Sequence, residues 1–250
     1  MTSRKSVKKQ SVGSLTADVV SRLRKMGSKR VRDAMLRYRI PNDNAFGIPV
    51  GKIQSLGKEL GRNHELALAL WKTGFYEARM LAALVDDPKL VTPAQMDRWC
   101  KDFDNWGIVD TVCFKLFDET PHAWKKVAQW SKRRDEFQKR AGFALLACLG
   151  VHDKRASNEN FIKCLPLIEE AATDQRNFVK KGVSWALRVI GRRNIELNNA
   201  AMQLAQKLAN SSDPTSRWLG KEALREFKRP LVRSQLEKVS RSKLTKVSDL

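Results

Sequence analysis

The chain has 250 residues, enough for one large domain or two small ones with a core that needs no disulfide or metal staple. Its 42% apolar content and seven Trp fit a folded body, and 48 Lys and Arg against 27 Asp and Glu leave a net charge of +21. The N-terminus has no apolar leader-like run, and no stretch approaches the roughly 18 apolar residues of a membrane span, which argues against a secreted or membrane-spanning protein.

The first 13 residues hold Arg4, Lys5, Lys8 and Lys9 with no acid, and read as a disordered basic arm. From residue 14 nearly every segment reads as helix. The predicted elements are 15–25, 31–39, 50–60, 65–73, 76–85, 93–103, 106–117, 123–131, 136–149, 158–172, 176–190, 197–208 and 216–227. Breaks carry Gly, Pro, Asn and Asp, as at Pro41 to Asn44, Asp86-Asp87-Pro88 and Ser212-Asp213-Pro214. Thr92-Pro93 reads as an N-cap followed by Pro at the first helical position. No strand pattern is present. Residues 14–229 are read as one domain and 230–250 as a basic tail. Arm and residues 228–250 together carry +9, so +12 belongs to the body. A basic body is the electrostatic footprint of a nucleic-acid binder.

Four stretches share a form: Glu77 to Leu84, Lys139 to Leu146, Lys180 to Leu187 and Arg217 to Leu224. Each has a charged start, then small and large apolar residues at helical spacing. The last three recur about every 40 residues, the period of HEAT or armadillo helix pairs. Such pairs stack into a curved all-α solenoid. If the basic starts Lys139, Arg140, Lys180, Lys181, Arg217 and Lys221 align, its concave groove is positive and suits a duplex backbone. They also fit a solvated helix face.

Cys100, Cys113, Cys148 and Cys164 form no CxxC and have no nearby His, so they read as buried free thiols in a reducing, cytoplasmic compartment. His64, His122 and His152 are scattered near helix ends and read as exposed or capping groups. No metal, P-loop or dinucleotide motif occurs.

The informative stretch is Asn105 to Asp110. It sets Trp106 and Asp110 one helical turn apart, so an indole and an anion share a face. A lone carboxylate on a phosphate-binding surface costs binding energy, and a positive charge appearing during a reaction would justify it. Arg140 lies on the next apolar helix and Trp185 one repeat further on. Both Trp also fit core packing, and Asp110 with Arg140 also fits a salt bridge between stacked repeats.

Phe46 to Pro49, the Trp106…Asp110 pair followed by Thr111-Val112, Lys139-Arg140-Ala141 and Phe178 to Arg188 together resemble the AlkD-type DNA alkylation repair proteins, which are HEAT-like-repeat DNA glycosylases. The resemblance spans roughly residues 30 to 227. It implies a monofunctional glycosylase, acting as a monomer without cofactor or metal. Its substrate would be double-stranded DNA bearing cationic N7- or N3-alkylated purines, and the flipped base would not be buried. It implies that Asp110 is the essential carboxylate, that Trp106 and Trp185 flank the deoxyribose, and that Arg140 contacts the DNA backbone. Tyr38 is the nearest match to an aromatic that the family carries in an early helix. Gly107 stands where the family has a larger polar residue.

The chemistry of such substrates agrees with the residues. An N7-alkylated purine is already cationic and leaves readily, so no strong acid is needed, which fits the lack of a candidate His or second carboxylate. Positive charge grows on the sugar as the bond breaks. Asp110 would stabilise it and orient water, and indole faces would add cation–π attraction. Lys139, Lys180, Lys181 and Arg188 would join Arg140 in anchoring phosphates without reading sequence. Two other readings remain open: a non-catalytic HEAT-repeat binder of branched or distorted DNA, and a repeat scaffold holding an acidic peptide.

Overall fold

The computed structural model describes residues 11–237; the first ten residues of the arm and residues 238–250 of the tail lie outside them. The described residues are helices and short connections without a strand, and no helix is long and apolar enough to cross a membrane. They divide into two compact units at Val91/Thr92.

The first unit holds α1 (Val12–Met26), α2 (Lys29–Met35), a 3-10 turn (Leu36–Tyr38), α3 (Val50–Leu60), α4 (His64–Lys72) and α5 (Tyr76–Val85). Helix α1 starts inside the expected arm, because the Ser11 hydroxyl accepts from the Ser14 N–H and so caps it. Helix α5 packs on α3 and α4, and α4 on α1. The Phe46–Ile48 loop is tied to α5 by one buried carboxylate. Glu77 accepts from the backbone N–H groups of Phe46 at 2.9 Å, Gly47 at 2.7 Å and Ile48 at 3.2 Å. Gly47 sits at φ 78°, and a Cβ there would lie 2.3 Å from the Ser28 carbonyl oxygen, so only glycine fits.

The second unit holds α6 (Pro93–Lys101), α7 (Trp106–Lys115), a 3-10 turn (Phe117–Glu119), α8 (Ala123–Trp130), α9 (Glu136–His152), α10 (Asn158–Ile162), α11 (Leu165–Glu170), α12 (Asn177–Gly191), α13 (Ile195–Ala209) and α14 (Pro214–Phe227). The expected helix 158–172 is two short helices. Pro166 cannot donate to Ile162 and its ring would clash there, so the chain turns at Lys163 and Cys164 and restarts with Pro166 in the first turn of α11. Residues 230–237, expected as tail, are helical and bury Val232 and Leu236.

Helix α9 is the unit's central element, buried continuously from Arg140 to Gly150. It packs against α7, α8 and α12, and α12 in turn packs against α13 and α14. Gly142 permits the α8 approach: a Cβ there would meet the Ser131 nitrogen at 2.4 Å. Helices α7, α9, α12 and α14 thus form a row in which each touches the next. Side chains one helix apart in this row come together although roughly 30 to 40 residues separate them in sequence.

Candidate functional site

Helix α7 begins where the Asn105 side chain accepts from the Ile108 N–H at 3.0 Å. This cap puts Trp106 at the first helical position and Asp110 one turn on. Across the α7–α9 contact, Arg140 grips Asp110 with two bonds: Nε donates to Oδ1 at 3.0 Å and a terminal nitrogen to Oδ2 at 2.7 Å. Its other terminal nitrogen donates to the Phe178 carbonyl at 2.8 Å. Phe178 is fixed from the other side, its N–H donating to Glu136 at 3.0 Å. The Arg140 side chain is 7% exposed and that of Asp110 24%, so the pair is buried on the arginine side and open on the carboxylate side. Burial pushes the Asp110 carboxyl above the usual aspartate range, against the pull of the Arg140 charge and hydrogen bonds.

Asp110 opens into a cleft of about 390 Å³, a volume typical of ligand sites. Arg140, Lys181, Trp185 and Arg188 line it with Asp110, so five residues singled out in the sequence meet there. Arg188 is anchored by its Nε, which donates to the Ser184 carbonyl at 3.2 Å. Trp185 also borders a second cleft of about 760 Å³, lined by Lys154, Arg192 and Arg193 and by no carboxylate.

The remaining residues lie elsewhere. Trp106 is half-buried and does not line the Asp110 cleft. Lys139 is paired with Asp174 at 3.0 Å, and Arg217 donates to the Ser211 and Ser212 carbonyls at its own helix start. Lys180 sits 5.3 Å above the Trp218 ring. Tyr38 belongs to the first unit and is 65% exposed.

The structure adds three residues: Ser184, Trp218 and Glu222 line the same cleft. Glu222 corrects the expectation that the site has no second carboxylate. Trp218 and Glu222 repeat the spacing of Trp106 and Asp110, which was the available signal, but Lys221 and Arg225 beside Glu222 make it look like any charged helix face. His152 is exposed, as expected, whereas His64 is half-buried. His64 and His152 pair through Nδ1 with the buried carboxylates of Asp86 at 2.6 Å and Asp118 at 2.5 Å. The four cysteines are buried free thiols. Burial pushes them all up, Cys164 to about 11, so none supplies a thiolate. Among the described residues no cluster of three His, Cys, Asp or Glu could hold a metal ion.

A family model described as DNA alkylation repair enzyme matches residues 19–227. Among solved structures the chain is similar, with a TM-score of 0.71 and 21% identity over 88% of this chain and 95% of the other, to a protein described as a new family related to the HEAT-like repeat DNA glycosylases with affinity for branched DNA structures. A designed armadillo repeat protein in complex with a (KR)4 peptide aligns over 94% of this chain and 84% of the other, at 14% identity and a TM-score of 0.31. No curated protein sequence matches the chain. The likeness at TM-score 0.71 gives the all-helical fold its HEAT-like repeat class.

Proposed function

Because this chain belongs to the DNA alkylation repair enzyme family, we propose that it is a glycosylase that hydrolyses the N-glycosidic bond of cationic N7- and N3-alkylated purines in duplex DNA. The observation that carries this reading is Asp110. It is a carboxylate locked in place by a buried arginine, yet it opens to a cleft walled by Lys181, Arg188 and an indole, in a chain of net charge +21. Phosphates favour those cations, and only a cation forming between them favours the carboxylate.

The alkylated ring leaves as a neutral base, so it takes the electron pair of the C1′–N bond without a proton from the protein. The sugar is left with oxocarbenium character. Asp110 is preorganised for that charge: Arg140 fixes both of its oxygens, so little rearrangement is needed when the charge appears. The Trp185 face adds cation–π attraction of about 0.5–2 kcal/mol. Arg140, already bound to Asp110 and Phe178, acts mainly by holding the carboxylate. Lys181 and Arg188 hold phosphates, and the basic second cleft beyond Trp185 receives the continuing backbone.

A second reading is binding of branched DNA without chemistry; affinity for branched DNA structures is described for the protein of similar fold. Incubating the protein in excess with a duplex containing 7-methylguanine separates the two. Release of the free base, leaving an alkali-labile abasic site, supports the glycosylase. Tight binding of a four-way junction with no base released from methylated duplex supports the binder and refutes the enzyme.

A further inference from the structure

The family model matches residues 19–227, and the chain builds one more helix beyond them in the same unit. After Lys228 ends α14, Pro230 opens a helix over residues 230–237. Val232 and Leu236 stand one turn apart on it, 3% and 6% exposed, and anchor it to the body. Gln235, next to them, is exposed and lines the second cleft of about 760 Å³. No Asp or Glu lines that cleft, and the acids beside its lining residues are taken. Glu226 is bonded by Arg192 at 3.4 Å and by Arg229 at 3.0 Å. Asp153 accepts from the backbone N–H groups of Arg155 and Ala156 and from the Trp124 indole. The cations differ in what they can offer. Arg193 donates its terminal nitrogens to the Gly150 and Asp153 carbonyls, so it adds charge alone. Lys154 is exposed and in no ion pair among the described residues, and Arg192 keeps only its long contact with Glu226.

Lys181, Trp185, Arg188 and Arg192 follow one another at helical spacing along α12, in one stripe that ends at its C-cap. The first three line the Asp110 cleft, Trp185 borders both clefts and Arg192 lines the second. Lys181 to Arg192 covers about 16 Å of helix, or roughly five base pairs of duplex axis. One duplex can therefore meet both clefts, and a basic lining without a carboxylate suits its phosphates. A side-chain amide is an ordinary partner of phosphate oxygens, so Gln235 completes that lining without a charge. We propose that helix 230–237 is a DNA-contacting element, and that Gln235, Lys154 and Arg192 hold the phosphates of the duplex arm running past Trp185. This role rests on the second cleft being a backbone groove and is independent of the chemistry at Asp110. It extends the interface into a segment outside the family match. Such contacts fix the arm without reading its bases.

The test is the slope of log affinity against log salt for a 7-methylguanine duplex, measured for the wild-type chain, Lys154→Gln, Gln235→Lys and Gln235→Glu. Single-turnover base release at saturating protein is followed alongside. Lys154→Gln should lower the slope by about 0.9 and Gln235→Lys should raise it by as much, one phosphate contact each way. Gln235→Glu should weaken binding several-fold at low salt, because it sets a carboxylate against phosphates. All three should release base at the wild-type rate once saturated, since the reacting bond lies at the Asp110 cleft. Duplexes cut short on one side of the lesion should erase the differences in affinity, and duplexes cut short on the other side should keep them. A shifted slope in Lys154→Gln, with both Gln235 variants binding as the wild type, overturns the role of the helix and leaves the groove standing. No shift in any variant overturns both and leaves the glycosylase to be decided by base release. Absence of release by the wild type refutes the enzyme, while the expected shifts in all three variants still uphold the helix as a DNA contact.

Discussion

Two carboxylates, one in each unit, differ in how a basic protein spends an acid: one is consumed by the fold and one is left facing a cleft. Glu77 is fully buried and spends its charge on three backbone N–H groups of the Phe46–Ile48 loop. Asp110 is also held by strong bonds, both from Arg140, but keeps a face on a cleft lined by cations and indoles. Both stretches belong to the sequence elements that resemble the AlkD type. The first is needed for the loop to exist, and the second leaves its negative charge available to something outside the protein.

The largest expected effect is on the clamp. Arg140→Ala leaves Asp110 without its partner and the Phe178 carbonyl without a donor, and should destabilise the second unit by about 3–5 kcal/mol in urea unfolding. Removing that positive charge also drives the Asp110 carboxyl further up. The acid limb of the excision profile, expected above the usual aspartate range in the wild type, should therefore move to still higher pH in Arg140→Met. Glu77→Gln comes next, at about 3 kcal/mol, because charge-assisted bonds to backbone donors are worth more than neutral ones. Its signature is lost stability with an unchanged chemical step in the protein that remains folded. A matching loss of single-turnover rate would break the distinction between the two acids.

A third effect is set by pH. Burial raises the Asp174 carboxyl, but Arg176 and Lys139 bonded to it prevail and hold it at about 2. The folded value lies below the unfolded one, so this contribution of about 2 kcal/mol is present above pH 4 and lost as pH falls toward 2. Asp174→Asn should flatten the stability curve in that window, with stability at neutral pH lower throughout. Smaller again is Trp185→Ala, where loss of the cation–π contribution predicts a fall in excision of roughly 2- to 30-fold with duplex affinity less affected. The smallest effect is on salt dependence: Lys181→Gln and Arg188→Gln should each lower the slope of log affinity against log salt by about 0.9, if each meets one phosphate.

The helices were legible where local chemistry bounds them. Val50–Leu60 runs from Pro49 to Gly61, and Tyr76–Val85 from Phe75 to Asp86, each with the expected limits. The break in 158–172 was missed because one proline inside an apolar helical pattern is compatible with a kink or a restart, and packing decides between them. The Asp110–Arg140 bond spans 30 residues and could be read only as one of two possibilities. The same distance problem hid the His64–Asp86 and His152–Asp118 pairs. Glu222 was invisible for another reason. Nothing along the chain marks which face of α14 meets α12, so an acid beside Lys221 reads as solvated charge until the helix row places it on the Asp110 cleft.

The most direct test of the central claim pairs two readings on Asp110→Asn: single-turnover release of 7-methylguanine and affinity for the same duplex. The exchange keeps size, removes the charge and replaces one of the two oxygens that accept from Arg140 by an amide nitrogen. The account predicts a rate lower by about 10²–10³-fold, as for other preorganised electrostatic groups, with affinity equal to the wild type or tighter. Excision at the wild-type rate, or loss of binding in step with loss of release, would contradict it.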